Sequence, residues 1–385
     1  LCNLLEKQQG THDGFGAPGV AGAPTWGMPD DAPDTLRVRR SWTSLSDDEK
    51  RAVLDAFLAL KQVTVSSGDP GSPRADYTSL CDELELDGYE KNLYDYYVEA
   101  HTNAFLSMGT PYQTMAQMSH MGPQFLPWHR YLLLRLEADI REVTGDPDFA
   151  MPYWDWTDCW EDGDASSCDP IFEEDFLGGP GSCDEADNDV SGYLTDNGFR
   201  VHLTTVWGDS PFKTDAILCE TRKLKREVGC SDLVSGPPDA DAIDGIFDRA
   251  VYDDEPNNAC DTDEDVSFRQ YLEGYDNDDK VLTCVAAGCE MHSRGHIFIG
   301  GDMFHSSGSP NDPMFFLHHA NVDRMWAAWQ QANLSTGRDE DAEDYGNPGY
   351  PEDYRGSLFV WSQLRAEDLF DYEALGYTYD TLPEP

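Results

Sequence analysis

The chain is short of positive charge. Its 385 residues hold 26 Lys and Arg against 74 Asp and Glu, a formal net charge of −48. Phosphate recognition needs clustered Lys and Arg, so neither nucleic acid nor an anionic membrane surface is an expected partner. There is no run of eighteen apolar residues, which excludes a membrane-spanning helix. The most apolar stretch, Tyr131 to Leu136, contains Arg135. No secretory leader is visible. No CxxC pair with zinc-finger spacing occurs, although cysteines number ten. An even count without a thiol-redox motif points to disulfides and an oxidising compartment, hence secretion. Cys159–Cys168 and Cys219–Cys230 are the expected short-range pairs. The one sequon, Asn333-Leu334-Ser335, agrees with a secreted glycoprotein. The acid excess reads as a strongly solvated surface. The alternative is weak binding of Ca²⁺ or mineral along Asp-rich runs such as Asp253–Asp265.

Histidine is also scarce, at ten residues, yet six fall into two groups of three. One group is His101, His120 and His129. The other is His292 and His296, completed by His318 or His319. Neutral imidazole suits Cu, Zn, Fe and Ni. Three imidazoles per ion leave positions open, as a catalytic or gas-binding site requires and a closed structural site does not.

At this length the chain can bury a large core. Residues 1–35, rich in Gly, Pro and Ala, form an irregular N-terminal arm. Ser46-Asp-Asp-Glu49 is a capping box, and Val53, Phe57 and Leu60 continue it at helical spacing. Residues 89–107 read as helix, with Leu93, Tyr97 and His101 on one face. Residues 127–143 give the clearest helix, opened by Pro127 and closed by Gly145 and Pro147, with His129 in its first turn. His292 and His296, four apart, share a helix face. Residues 312–332 form a further helix entered through Asp312-Pro313. Residues 158–265 are loop-rich, acidic and cysteine-bearing. The expected fold is therefore mainly α: a central four-helix bundle holding a dinuclear metal site, with loop-rich, disulfide-stapled insertions.

Two segments carry a resemblance. The first is His120-Met-Gly-Pro-Gln-Phe-Leu-Pro-Trp-His129-Arg130, followed by Met151-Pro-Tyr-Trp-Asp-Trp156. The second is Met291-His292-x3-His296, followed by Asn311-Asp-Pro-Met-Phe-Phe-Leu-His-His-Ala-Asn-Val-Asp323-Arg324. The chain resembles the type-3 dicopper proteins, and animal-type tyrosinases in particular, from Leu36-Arg-Val-Arg-Arg40 to Tyr377-x-Tyr379. The resemblance implies one catalytic domain over 36–385, two copper ions and O₂ as co-substrate. It implies copper A on His101, His120 and His129, and copper B on His292, His296 and His319. His318 would then sit behind the ligands, although the residues alone leave His318 and His319 open. His12, His202 and His305 are not expected ligands.

The resemblance also implies roles beyond the ligands. Glu273 would hold a water near copper B that deprotonates an incoming phenol. Phe315 would lie over the copper, where its ring can stack on substrate. Asp323 would pair with Arg324 or a ligand imidazole. Trp128, Trp154 and Trp156 read as core. Ser293 stands where many tyrosinases have Asn, which weakens phenol hydroxylation and leaves catechol oxidation as the firmer activity. Met118 replaces the Cys that some relatives link to a copper-A histidine, so no thioether is expected. The implied activity is ortho-hydroxylation of monophenols such as tyrosine and oxidation of o-diphenols such as DOPA to o-quinones. The substrate is a small phenol or a protein-bound tyrosine, feeding melanin, sclerotisation or adhesive crosslinking. The alternatives are a catechol oxidase alone, a zinc-bound isomerase of the same family, and an oxygen carrier. With few residues after Tyr379, the β-rich shield of a carrier is not expected.

Overall fold

The computed structural model describes residues 35–65, 91–106, 119–161, 171–207, 214–253, 266–274, 291–336 and 345–385, with 121, 185, 352–354, 359–360 and 362–363 excepted, and isolated residues between 161 and 171. Nearly all of the expected arm, Met118, and the run 254–265 lie outside the described residues.

Strand β1 (Arg37–Arg39) leads into helix α1 (Asp47–Gln62). The capping box forms as its sequence asks. The Ser46 amide donates to Glu49 Oε2 at 2.8 Å, and the Glu49 amide to Ser46 Oγ at 3.4 Å. Each bond satisfies a donor that the first turn would leave unpaired. Helix α2 (Leu93–Leu106) follows, then α3 (Phe125–Thr144). α3 begins two residues before Pro127, so His129 lies in its second turn rather than its first. Gly145 ends it in the left-handed conformation at φ 73°, its amide bonded to the Arg141 carbonyl. A hairpin, β2 (Val201–Trp207) against β3 (Thr214–Arg222), lies in the loop-rich region. The short helix α4 (Phe268–Glu273) precedes α5 (Met291–Ile299) and α6 (Met314–Thr336). Asp312 accepts the Met314 amide at 2.9 Å and two bonds from Arg226, which fixes where α6 begins.

Strand β4 (Tyr377–Tyr379) pairs with β1 in parallel, Arg37 opposite Tyr377 and Arg39 opposite Tyr379. The two ends of the resemblance are thus joined in space. Arg39 reaches inward to Glu137 at 2.8 Å and to Asp323 at 2.9 Å. Asp323 also accepts from Arg130, Tyr377 and Tyr379, each at 2.6 Å. This corrects the expected pairing of Asp323 with Arg324 or an imidazole. Residue 323 is four beyond His319, but its side chain faces the β1–β4 clasp. Arg324 turns the other way, to Asp155 at 2.9 Å.

Cys159 pairs with Cys168 as expected. The second expectation fails, because Cys183, not Cys219, bonds Cys230. Residues 180–182 run beside 226–228, with Ser182 donating to the Arg226 carbonyl and Val228 to that of Pro180. Their neighbours Cys183 and Cys230 come to 5.3 Å between Cα atoms. Cys219 sits in the hairpin opposite Leu203 and is bonded to a cysteine outside the described residues. Asn333 of the sequon is fully buried, and its amide donates to the Gly346 carbonyl. A glycan there is incompatible with the fold. No described helix is long and apolar enough to cross a membrane.

Candidate metal centre

Two helices and one bend bring the first histidine trio together. His101 comes from α2, His129 from α3, and His120 from the bend before α3. His292 and His296 come from α5 and His319 from α6. The expected bundle therefore holds for five of the six rings; His120 is carried by irregular chain. Within each trio one nitrogen from every ring lies within 4.8 Å of the others. The trios face one another: the His129 and His319 rings stack at 4.2 Å between centroids. Phe125 and Phe315 bracket them. Phe125 touches His129 and His292 at 4.8 and 4.9 Å, and Phe315 touches His319 and His101 at 4.1 and 5.0 Å.

Backbone carbonyls fix four of the rings. Nδ1 of His101 bonds the Ser307 carbonyl at 3.0 Å, that of His129 the Phe125 carbonyl at 2.8 Å, that of His292 the Glu273 carbonyl at 3.1 Å, and that of His296 the Met303 carbonyl at 2.9 Å. A carbonyl only accepts, so Nδ1 carries the proton and Nε2 keeps its lone pair. Nε2 of His101, His129 and His319 is buried with no hydrogen-bond partner. Nε2 of His292 and His296 stand 3.0 Å apart. With both protons on Nδ1, two lone pairs meet there, an arrangement stable only around a cation. Burial holds His101 down at about 3 and His296 at about 4, and depresses His120, His129, His292 and His319 as well. All six are neutral near pH 7, the form that ligates metal. A buried cluster of bare imidazole nitrogens without a carboxylate among them fits copper.

The structure separates His318 from His319. His318 Nδ1 accepts from Trp156 at 3.1 Å, and its Nε2 donates to the His292 carbonyl at 3.0 Å. Both nitrogens are spent, so His318 holds the α5 backbone while His319 faces the trio. Sequence reading missed the reason the two helices come so close. A Cβ on Gly295 would stand 2.4 Å from His318. His202 lies elsewhere, on Asp95, and Trp128, Trp154 and Trp156 are core.

Glu273 is buried beside His292, but its Oε2 accepts from Arg269 at 2.7 Å. Arg269 in turn bonds Asp253 at 2.8 Å, so the first residue of the Asp-rich run serves an internal ion pair. Ser293 Oγ donates to the Glu273 carbonyl at 2.7 Å, not to its carboxylate.

Two three-histidine clusters within one helical bundle define a dinuclear metal protein. Residues 91–332 match the family model for the common central domain of tyrosinase. The chain is 32% identical over 347 residues to a tyrosinase of Streptomyces lincolnensis, covering 90% of this chain and 100% of that one. It is 30% identical over 370 residues to the tyrosinase of Canis lupus familiaris, covering 91% and 64%. In fold it is similar to a polyphenol oxidase of Thermothelomyces thermophila, with TM-score 0.60, 23% identity and coverage of 90% and 89%. A deoxygenated hemocyanin of Rapana thomasiana gives TM-score 0.51 at 18% identity, covering 91% and 71%. The chain belongs to the tyrosinase family of type-3 dicopper proteins, and its cofactor is a pair of copper ions.

Proposed function

We propose that this chain is a secreted copper oxidase of phenols that takes catechols readily to o-quinones and hydroxylates tyrosine more slowly. One observation carries the reading: six neutral imidazoles converge in two trios, with Nε2 of His101, His129 and His319 buried without a partner and Nε2 of His292 and His296 facing only each other. His101, His120 and His129 would hold one ion, and His292, His296 and His319 the other. Bound copper supplies the redox chemistry, by which two catechols give up four electrons and four protons to reduce one O₂ to two waters. The protein's part is orientation and exclusion. Main-chain carbonyls lock four rings against rotation. Phe125 and Phe315 keep the space between the trios apolar, and Phe315 offers a face on which a phenol ring can stack.

Glu273 is the base candidate for a phenol proton, through a water. One of its carboxylate oxygens is already committed to Arg269 at 2.7 Å. Ser293 adds no group to that water, since its hydroxyl is committed to a carbonyl. Both features favour catechols, which ionise more easily than tyrosine. The disulfides support an oxidising, extracellular setting. Metal analysis with initial rates on DOPA and tyrosine tests the reading. Two coppers per chain with faster DOPA oxidation support it. A zinc-loaded, redox-silent protein sinks it in favour of the isomerase alternative.

A further inference from the structure

Five of the six ligand rings stand on helices, and main-chain carbonyls hold four of those. His120 has neither support. It lies on the bend before α3, where no helical hydrogen-bond ladder fixes the chain. Its Nδ1 meets a side chain instead, Ser119 Oγ at 3.0 Å, and no other hydrogen bond reaches this ring among the described residues. Ser119 is fully buried. Phe105 and Phe125 flank the ring at 5.4 and 5.8 Å between centroids. Neither carries a hydrogen-bonding group, so neither distinguishes one ring nitrogen from the other. Met118, the residue before Ser119, brings no thiol that could fix the ring covalently.

The bend itself is clamped from far along the chain. Tyr252 Oη donates to the Pro123 carbonyl at 2.7 Å, and Tyr350 Oη donates to the same oxygen at 3.2 Å. Pro127, four residues on, has no N–H to offer that carbonyl, and the two phenols take its place. Burial pushes both phenols well above their usual range, so both stay protonated donors. Gln124 Nε2 adds a bond to the Gly356 carbonyl at 3.1 Å. The backbone is thus fixed at 123–124, and the rotation of the His120 ring is left to Ser119.

We propose that Ser119 is the positioning residue for His120, and that Tyr252 and Tyr350 hold the bend on which it acts. The proposal rests on copper A being held by His101, His120 and His129. An ion takes the lone pair of one ring nitrogen, and the neutral ring then carries its proton on the other. With Nδ1 against Ser119, the proton sits there and is donated to Oγ, and Nε2 is the nitrogen left for the ion. Carbonyls impose the same tautomer on His101 and His129. At His120 a hydroxyl does so, and the aim of this ligand depends on a side chain.

The test uses the copper-loaded protein. Ser119→Ala should weaken copper A roughly 10- to 100-fold, the usual worth of a partner behind a metal-bound imidazole, and leave copper B in place. Competition with a chelator measures both. In copper(I)-saturated protein with labelled histidine, nuclear magnetic resonance reads the ring protons directly. Ser119→Ala should move the His120 Nδ1–H signal upfield and leave those of His101 and His129 where they are. A general loosening of the fold would not move one ring alone. Tyr252→Phe combined with Tyr350→Phe removes both donors from the Pro123 carbonyl and should speed extraction of copper A severalfold. Unchanged copper A affinity in Ser119→Ala, equal loss of both ions, or a His120 signal that stays put overturns the role of Ser119. Wild-type retention of copper A in the double tyrosine variant overturns the clamp. DOPA oxidation by the unaltered protein reports the oxidase reading separately.

Discussion

Ser293 shows how one side chain sets a preference between substrates. Its hydroxyl is spent on the Glu273 carbonyl at 2.7 Å, so the carboxylate faces any water alone, already drawn to Arg269. An Asn there is long enough to offer an amide oxygen to that water. Ser293→Asn is expected to raise the ratio of tyrosine to DOPA initial rates severalfold, a fraction of the roughly 10²–10⁴ that general base catalysis spans, with copper content unchanged. An unaltered ratio would remove Glu273 from the proton path. The residues around the ions were largely legible in advance. The two trios come together as the motifs ask, and Phe315 packs on His319, because a ligand needs a particular side chain and leaves a mark in the sequence. The carbonyls that orient the rings leave none, since every residue has one. Asp323 was misassigned for a related reason: spacing along a helix gives a face, not the partner that reaches it from a distant strand.

Between elements, the decisive contact is α5 against α6. Gly295 sits where any Cβ would strike His318, and His318 in turn ties Trp156 to the His292 carbonyl. Gly295→Ala should push the helices apart and cut metal affinity at the His292–His296–His319 trio roughly 10- to 100-fold, leaving the other trio loaded. Copper stoichiometry after dialysis checks this; full retention of both ions would mean that the helices slide at no cost. Helix positions were readable from caps and apolar spacing to within a few residues. The hairpin and the Cys183–Cys230 bridge were not. Disulfide partners depend on how loops meet in space, and several pairings satisfy the same cysteine count.

Two properties belong to the protein as one body. The first is the clasp of β1 on β4, sealed by Asp323 against Arg39 and Arg130. Burial alone would raise the Asp323 pKa, but Arg130 and Arg39 outweigh it and the carboxyl stays below its usual range. Asp323→Asn leaves the buried Arg130 guanidinium without a carboxylate, while Arg39 keeps Glu137, and should cost about 3–5 kcal/mol, read as a lower denaturant midpoint. A loss under about 1 kcal/mol, the level of a surface pair, would mean that water already shares the network. The second concerns the copper-free protein in acid. His101 and His296 are held at about 3 and about 4 in the fold, below the ordinary value near 6.5 that they regain on unfolding. From pH 6.5 downward the unfolded chain binds protons that the folded one refuses. Stability is therefore full above pH 6.5 and drains toward pH 4, by about 1.4 kcal/mol per pH unit for each such ring. Copper, which occupies the same lone pairs, should shift that loss to lower pH. Unfolding midpoints that do not change between pH 7 and 4.5 without copper would contradict the burial of the rings. Four ligand rings hang from peptide oxygens, which mutation cannot delete. The side chains of Ser307, Phe125, Glu273 and Met303 can thus be exchanged without removing the acceptor that aims each ring.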